Sequence, residues 1–172
     1  MKKSFPLILL LGLGNVTHAA WQDYLPEAKL QNTDAATFNV GAGLTQKIAH
    51  FNGEWVNPYG IAYAKVGAFV NNDHEFAGQV GFRYPAFLNG VDKNGFYVGV
   101  YGGSLKSKKV DNKDEIQYGA GVDLAYVLLN KERISTFSVG VGAGSEIHDS
   151  RGKMIEETRP QLQFAYTLSF GL

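Results

Sequence analysis

A histidine, an aspartate and a serine follow one another as His148, Asp149 and Ser150, and two glutamates come soon after as Glu156 and Glu157. Serine, histidine and a carboxylate can act as a nucleophile, a base and a group that orients the base. His148, Ser150 and Glu156 are therefore weak candidates for catalysis. The surrounding HDSRGK run is equally typical of a turn in an exposed loop, so both interpretations stay open.

Four charged residues stand in stretches that otherwise alternate between apolar and small residues: Lys65, Arg83, Asp123 and Glu146. If those stretches are strands of a narrow barrel, all four side chains face the lumen. A hydrogen-bonded network among them would fill an eight-stranded interior, which is just wide enough for side chains. We predict such a network, with a lumen plug as the favoured interpretation and a proton or ion path as the alternative.

Lysines cluster in the run LKSKKVDNKDE, where Lys106, Lys108 and Lys109 could contact lipopolysaccharide phosphates if the run lies outside the cell. Neighbouring acidic residues offset these charges, so a solvated loop is the alternative. The chain has no cysteine and no H-x-x-H spacing, and His50 and His74 stand alone. We therefore predict no metal site and no cofactor.

These residues need elements to position them, and the clearest element is the stretch Arg159 to Leu172. Its large apolar residues share one parity: Leu162, Phe164, Tyr166, Leu168, Phe170 and Leu172. The other parity holds only small or uncharged polar residues from Gln161 to Gly171. A strand of this kind suits a barrel wall with lipid on one side and a crowded lumen on the other.

Similar alternation predicts six further strands, at Thr37 to Lys47, Tyr59 to Val70, Glu75 to Tyr84, Phe96 to Leu105, Glu115 to Leu129 and Phe137 to Ile147. Asn52 and Gly53 are typical of a two-residue hairpin, and LKSKKVDNKDE is interpreted as a loop. Bacterial single-chain barrels have an even number of strands. Trp21 to Leu30 is therefore assigned as the first of eight strands and as the partner of the last.

The start of the chain predicts export. Lys2 and Lys3 precede an apolar run from Phe5 to Leu13, which is typical of a cleaved signal peptide over residues 1–19. The barrel domain is then residues 20–172. Sixteen basic and sixteen acidic residues balance each other, which gives no sign of a nucleic-acid partner. No apolar run is long enough for a membrane-spanning helix.

Together, the leader, the alternating strands and the aromatic-rich last strand resemble the small eight-stranded outer-membrane barrels of Gram-negative bacteria, of the OmpA transmembrane and OmpX type. The resemblance implies a closed antiparallel up-and-down barrel that acts as a monomer in the outer membrane, in contact with membrane lipid and lipopolysaccharide. It also implies that the barrel-assembly machinery recognises the last strand through Phe164, Tyr166, Leu168, Phe170 and Leu172. Here Leu172 is terminal, where the family usually has Phe or Trp.

The sequence thus favours a porin-like barrel in the cell envelope with a structural or interaction role and no catalysis. The H-x-S pair of His148 and Ser150 resembles that of the outer-membrane lipid A deacylases, although Arg151 replaces the asparagine that follows their serine. A lipid A modifying enzyme is therefore one alternative. A soluble periplasmic, lipocalin-like binding barrel, with its bulky faces turned inward, is the other.

Overall fold

The computed structural model describes residues 26–70, 75–89, 92–110, 113–148 and 151–172, with the backbone alone at residues 113, 114, 148 and 156. Within these ranges the fold is all β. The strands are β1 (Phe38–Thr45), β2 (Ile48–Asn57), β3 (Gly60–Phe69), β4 (Phe76–Asn89), β5 (Asn94–Val110), β6 (Lys113–Leu129), β7 (Arg133–Gly144), β8 (Ile147–His148), β9 (Met154–Glu156) and β10 (Pro160–Gly171).

Eight of these strands form a closed barrel in the order β1-β10-β7-β6-β5-β4-β3-β2, and β8 and β9 form a separate two-stranded sheet. Every neighbouring pair in the barrel is antiparallel. The predicted closed up-and-down barrel of eight strands is confirmed. No helix in the described ranges is long and apolar enough to cross a membrane.

The two ends of the barrel differ. The end with Leu172 and the β2–β3 and β6–β7 turns is called the terminal end, and the opposite end is called the hairpin end. At the hairpin end the β5–β6 ladder continues to Val110 and Lys113. The ladders of these strands with β4 and β7 stop at Gly103 and Gly119. The β5–β6 hairpin therefore extends beyond the barrel wall.

The prediction that Trp21 to Leu30 is the first strand is wrong for its described part. Residues 26–30 are not a strand, and Leu30 instead lies in a turn at the terminal end, where its N–H donates to the Pro58 carbonyl at 2.9 Å. Trp21 to Leu25 lies outside the described residues. The barrel is closed by β1, whose Ala42 pairs with Leu168 of β10.

Asn52 and Gly53 are in the middle of β2, so the predicted hairpin at these residues is wrong. The chain reverses earlier, at Gln46 and Lys47. There the Thr45 hydroxyl accepts the N–H of Ile48 at 3.1 Å and donates to the Ile48 carbonyl at 3.3 Å. These two hydrogen bonds let a turn form without the glycine that hairpins usually need.

The loop predicted over LKSKKVDNKDE is wrong as well, because Leu105 to Val110 belongs to β5 and Lys113 to Glu115 belongs to β6. Pairing supplies the stability here: Lys108 is opposite Glu115 and Lys109 is opposite Asp114. Opposite charges across a ladder favour the strand conformation.

Inside the barrel, polar residues form a middle layer between two apolar ends. The terminal cluster closes one end with Leu30, Val56, Ile61, Tyr97, Ala125, Val127, Leu129 and Ile134. Ile48, Phe69 and Ala77 form the hairpin-end cluster. The outer wall carries the large apolar side chains, for example Phe51, Phe76 and Val80, each more than 60% exposed.

Candidate functional site

The middle layer of the lumen contains three of the four predicted charges. Lys65 on β3, Arg83 on β4 and Asp123 on β6 all point inward and are buried. Arg83 donates from Nε and Nη2 to Asp123 Oδ2 at 3.2 and 2.7 Å, and Nη2 also donates to Ser138 Oγ at 3.2 Å. The barrel therefore encloses an ion pair that joins β4 and β6.

That ion pair has to cross β5, which lies between its two strands. The residue of β5 in register with both Arg83 and Asp123 is Gly99. A Cβ at Gly99 would lie 2.9 Å from Arg83 Cγ and closer still to Asp123 Oδ1. The glycine leaves the space in which the two charged side chains meet.

Glu146 does not join this network. It follows the end of β7 and is exposed at the hairpin end. The prediction extended the strand to Ile147, but β7 ends at Gly144. The alternation of inward and outward side chains therefore stops before Glu146.

Tyr63 binds both cations of the layer. Its ring centroid lies 4.9 Å from Lys65 Nζ and 4.5 Å from Arg83 Cζ. A cation near the face of an aromatic ring is attracted by the ring quadrupole, and more strongly when both are away from water. The ring therefore stabilises two like charges inside one narrow lumen.

Residues on β2 complete the layer, and the sequence prediction did not include them. His50, Asn52 and Glu54 point inward and are buried, and Asn52 Nδ2 donates to Ser169 Oγ of β10 at 2.7 Å. The alternation of Ile48, His50, Asn52, Glu54 and Val56 could have identified this face, but the Asn-Gly pair obscured it.

Glutamine side chains cross the lumen towards the hairpin end. Gln161 Nε2 donates to Gln117 Oε1 at 2.5 Å, and Gln117 Nε2 donates to the Ser145 carbonyl at 2.7 Å. Gln79 Nε2 donates to the Ser104 carbonyl at 2.8 Å. These bonds join β10 to β6 and β4 to β5 inside the barrel.

Two tyrosines and three glycines share one level of the wall, where Tyr63, Gly81, Tyr101, Gly121 and Gly142 are in register. A Cβ at Gly121 would lie 2.5 Å from the Tyr101 hydroxyl, and one at Gly142 would lie 2.7 Å from it. The rings therefore lean over glycines and fill the lumen.

Beside this layer, a cavity lined by His50, Lys65 and Gln79 measures only about 10 Å³.

The other predicted site residues that the structure describes lie at the hairpin end. Asp149 and Ser150 lie outside the described residues, and the backbone alone is described at His148 and Glu156, which belong to β8 and β9. Glu157 pairs with Arg159 at 2.7 Å on the surface. Catalysis by His148, Ser150 and Glu156 therefore stays a prediction.

The three predicted lipopolysaccharide contacts lie on the protruding part of β5. Lys109 is exposed, whereas Lys106 and Lys108 are half-buried. Lys108 Nζ donates to the Ile155 carbonyl of β9 at 3.4 Å. This bond connects the β5–β6 hairpin to the small β8–β9 sheet. Among the described residues, no group of three histidine, cysteine or acidic side chains is placed to hold a metal.

No protein family, curated protein or solved structure that was compared with this chain matches it. The class that the fold itself defines is a small closed up-and-down barrel with a packed, charged lumen and an apolar outer wall.

Proposed function

We propose that this protein is an integral outer-membrane β-barrel of a Gram-negative bacterium, with a non-catalytic structural or interaction role in the cell envelope. The observation that carries the proposal is the direction of the side chains. Large apolar residues cover the outer wall while charged and polar residues fill the interior. Soluble monomers rarely expose contiguous apolar patches above a few hundred Å², whereas a lipid-facing barrel needs such a surface.

The same side-chain direction opposes the lipocalin-like alternative. A soluble barrel that binds an apolar ligand needs its bulky faces around an internal cavity. Here Phe51, Phe76 and Val100 face outward, and the interior holds Arg83 and Asp123. Hydrocarbon outside the barrel, rather than a ligand inside it, is the apolar phase that fits this chain.

Packing supports a barrier rather than a pore. The terminal cluster, the charged layer with Tyr63 and Tyr101, and the glutamines follow one another along the lumen. An eight-stranded lumen filled in this way is expected to conduct little or no current. The β5–β6 hairpin and the β8–β9 sheet project at the hairpin end, and they are the parts that an interaction role would use.

Export and assembly complete the proposal. Residues 1–19 would direct the chain out of the cytoplasm. The assembly machinery would then recognise the outward face of β10, where Phe164, Tyr166, Phe170 and Leu172 are exposed and Leu168 is half-buried. In the membrane, lipid and lipopolysaccharide would surround a monomer.

Fractionation with a gel assay tests the proposal. The protein is expected in the outer-membrane fraction, to need detergent for extraction, and to migrate differently in gels before and after boiling. The shift is expected because a closed barrel resists detergent until it is heated. Recovery of folded protein from periplasmic extracts without detergent would refute the membrane location.

A further inference from the structure

A groove at the terminal end of the barrel is lined by three consecutive charged residues. It is about 430 Å³ in volume and is lined by Asn130, Lys131, Glu132, Arg133 and Phe170. That volume is within the range of roughly 300–1,000 Å³ that is typical of small-ligand sites. Two cations and one carboxylate beside an exposed aromatic ring therefore form a candidate ligand site outside the lumen.

The turn that carries these charges is fixed by hydrogen bonds. The Asn130 N–H donates to the Arg133 carbonyl at 3.2 Å, and the Arg133 N–H donates to Asn130 Oδ1 at 3.0 Å. The Gly171 N–H donates to the Glu132 carbonyl at 3.1 Å, which joins the turn to the end of β10. Because the backbone of the turn is already ordered, a ligand that binds here loses less free energy to ordering the protein.

The charged side chains of the turn are accessible. Lys131, Glu132 and Arg133 are all exposed, and none of the three has an ion pair in the described part of the chain. The β2–β3 turn at the same end has Pro58 and Tyr59 and no charge. The three charges are therefore not a general feature of the turns at this end.

Apolar side chains continue from the groove along the outer wall. Phe170 of β10 is opposite Arg133 in register and is 52% exposed. Two residues further from the rim, Leu168 is opposite Ser135, and the Ser135 hydroxyl donates to the Tyr166 hydroxyl at 3.2 Å. The surface is therefore charged at the rim and apolar below it, which matches a phospholipid with its charged headgroup and its acyl chains.

The lengths of the connections indicate which leaflet would surround this rim. Outer-membrane barrels have short periplasmic turns and longer extracellular loops. The β5–β6 hairpin and the connection over residues 145–159 lie at the hairpin end, whereas the β2–β3 and β6–β7 turns are short. In the proposed membrane, the terminal end would face the periplasm, where the leaflet consists of phospholipids rather than lipopolysaccharide.

We propose that this groove binds the headgroup of a phospholipid of the phosphatidylethanolamine class, which carries both a phosphate and a primary ammonium. Lys131 and Arg133 bind the phosphate, and Glu132 accepts hydrogen bonds from the ammonium. An acyl chain lies along Phe170 and Leu168. Glu132 favours a headgroup with both charges, since a carboxylate in the groove would repel a purely anionic one. The site rests on the proposed membrane location, because it needs a lipid leaflet at this rim.

Competition between lipids tests the site. The full-length processed protein is folded in detergent micelles that contain equal amounts of phosphatidylethanolamine, phosphatidylcholine and phosphatidylglycerol with the same acyl chains, and bound lipid is counted by native mass spectrometry. Phosphatidylcholine has the same phosphate and net charge, but methyl groups replace the ammonium hydrogens. Adducts with phosphatidylethanolamine should exceed those with phosphatidylcholine by about two- to fivefold, the range expected of an exposed charge pair.

Variants at exposed positions assign the two parts of the headgroup. Glu132→Gln should bring the ratio of phosphatidylethanolamine to phosphatidylcholine adducts to about one. The Lys131→Gln, Arg133→Gln double variant should reduce the adducts of both lipids by about tenfold, because it removes both phosphate contacts. Lys93→Gln, on the β4–β5 turn at the same end but outside the groove, is the control and should leave all adducts unchanged.

Three results would overturn the proposal. Equal binding of phosphatidylethanolamine and phosphatidylcholine by the unmodified protein would show that Glu132 does not select the ammonium. A preference for phosphatidylglycerol would show that the groove selects a purely anionic lipid. Displacement of the lipid by an equal concentration of free phosphoethanolamine would show that the ligand is a soluble phosphate rather than a lipid. A protein that still needed detergent in any of these cases would retain the proposed membrane location.

Discussion

The Arg83–Asp123 pair shows that a glycine on one strand can allow an ion pair between the two strands beside it. Two charged side chains on strands that are not neighbours meet because Gly99 stands between them on β5. The sequence predicts that Lys65, Arg83 and Asp123 face inward, because strand parity fixes direction. It cannot predict which charges pair, since that depends on how far each side chain reaches across a curved wall.

Replacing Asp123 by asparagine should lower the free energy of unfolding by about 3–5 kcal/mol, because it leaves the buried Arg83 without its counter-charge. Denaturant unfolding in detergent or lipid measures the effect. Glu157→Gln is the matched control, since the Arg159–Glu157 pair has the same 2.7 Å distance but exposed side chains. Its loss should change stability by less than about 1 kcal/mol. Equal losses of stability in the two variants would mean that burial does not increase the contribution of the Asp123 ion pair.

Gly99→Ala should also destabilise the barrel, by about 1–3 kcal/mol, because its Cβ would displace Arg83 and Asp123 from each other. Gly102→Ala is the control on the same strand. Gly102 faces outward, and the nearest atom to its added Cβ would be 3.6 Å away. That variant should unfold at an unchanged or slightly higher denaturant concentration. Similar losses of stability in both variants would show that an added side chain destabilises β5 at either glycine. A clash at the ion pair would then not be the cause.

At the scale of elements, most barrel strands are predictable from the alternation of their residues, and β2 is not, although Phe51 and Trp55 are on its outward face. The inward face of β2 carries His50, Asn52 and Glu54, which in a soluble sheet would belong to a loop. Gly53 lies on its outward face with nothing within 4 Å of an added Cβ. The sequence pattern of polar residues followed by glycine is therefore the same as that of a turn. The real turn at Gln46 and Lys47 depends on a hydroxyl hydrogen bond that no composition rule predicts.

Closure of the barrel by β1 and β10 can be tested by cross-linking, since the chain has no cysteine of its own. Ala42 and Leu168 are opposite each other in the β1–β10 ladder, and directly opposite Cα atoms fall within disulfide range. The Ala42→Cys, Leu168→Cys double variant should form an intramolecular disulfide on oxidation, seen as a reduction-sensitive gel shift.

A matched pair of cysteines on strands that are not neighbours controls for random collisions. Ala42→Cys with Phe137→Cys places the thiols on β1 and β7, which β10 separates. Neighbouring strands are about 4.8 Å apart, and Phe137 is opposite Tyr166 rather than Leu168. That pair therefore lies more than about 10 Å apart and should stay reduced. Cross-linking of the control but not of the first pair would contradict closure by β1.

At the scale of the whole molecule, the barrel reverses the usual distribution of polar and apolar residues. Its charged layer is inside and its bulky residues are outside. The interior is stabilised by an ion pair, cation–π contacts and hydrogen bonds, with apolar clusters at its two ends. The proposed membrane location would cover this wall with an apolar phase, and it therefore accounts for the direction of the bulky side chains.

Lysine substitution at matched outward valines separates a lipid-facing wall from a water-facing one. Val122 lies in the middle of β6, between Val100 and Val141 in register, and Val70 directly follows β3 at the hairpin end. Both side chains are more than half exposed. In a bilayer, Val122→Lys should lower the free energy of unfolding by about 2–4 kcal/mol and Val70→Lys by about 1 kcal/mol or less, because the cost falls with distance from the midplane. Unfolding of each variant from lipid vesicles measures this difference, and indistinguishable, near-zero effects would mean that water covers the wall.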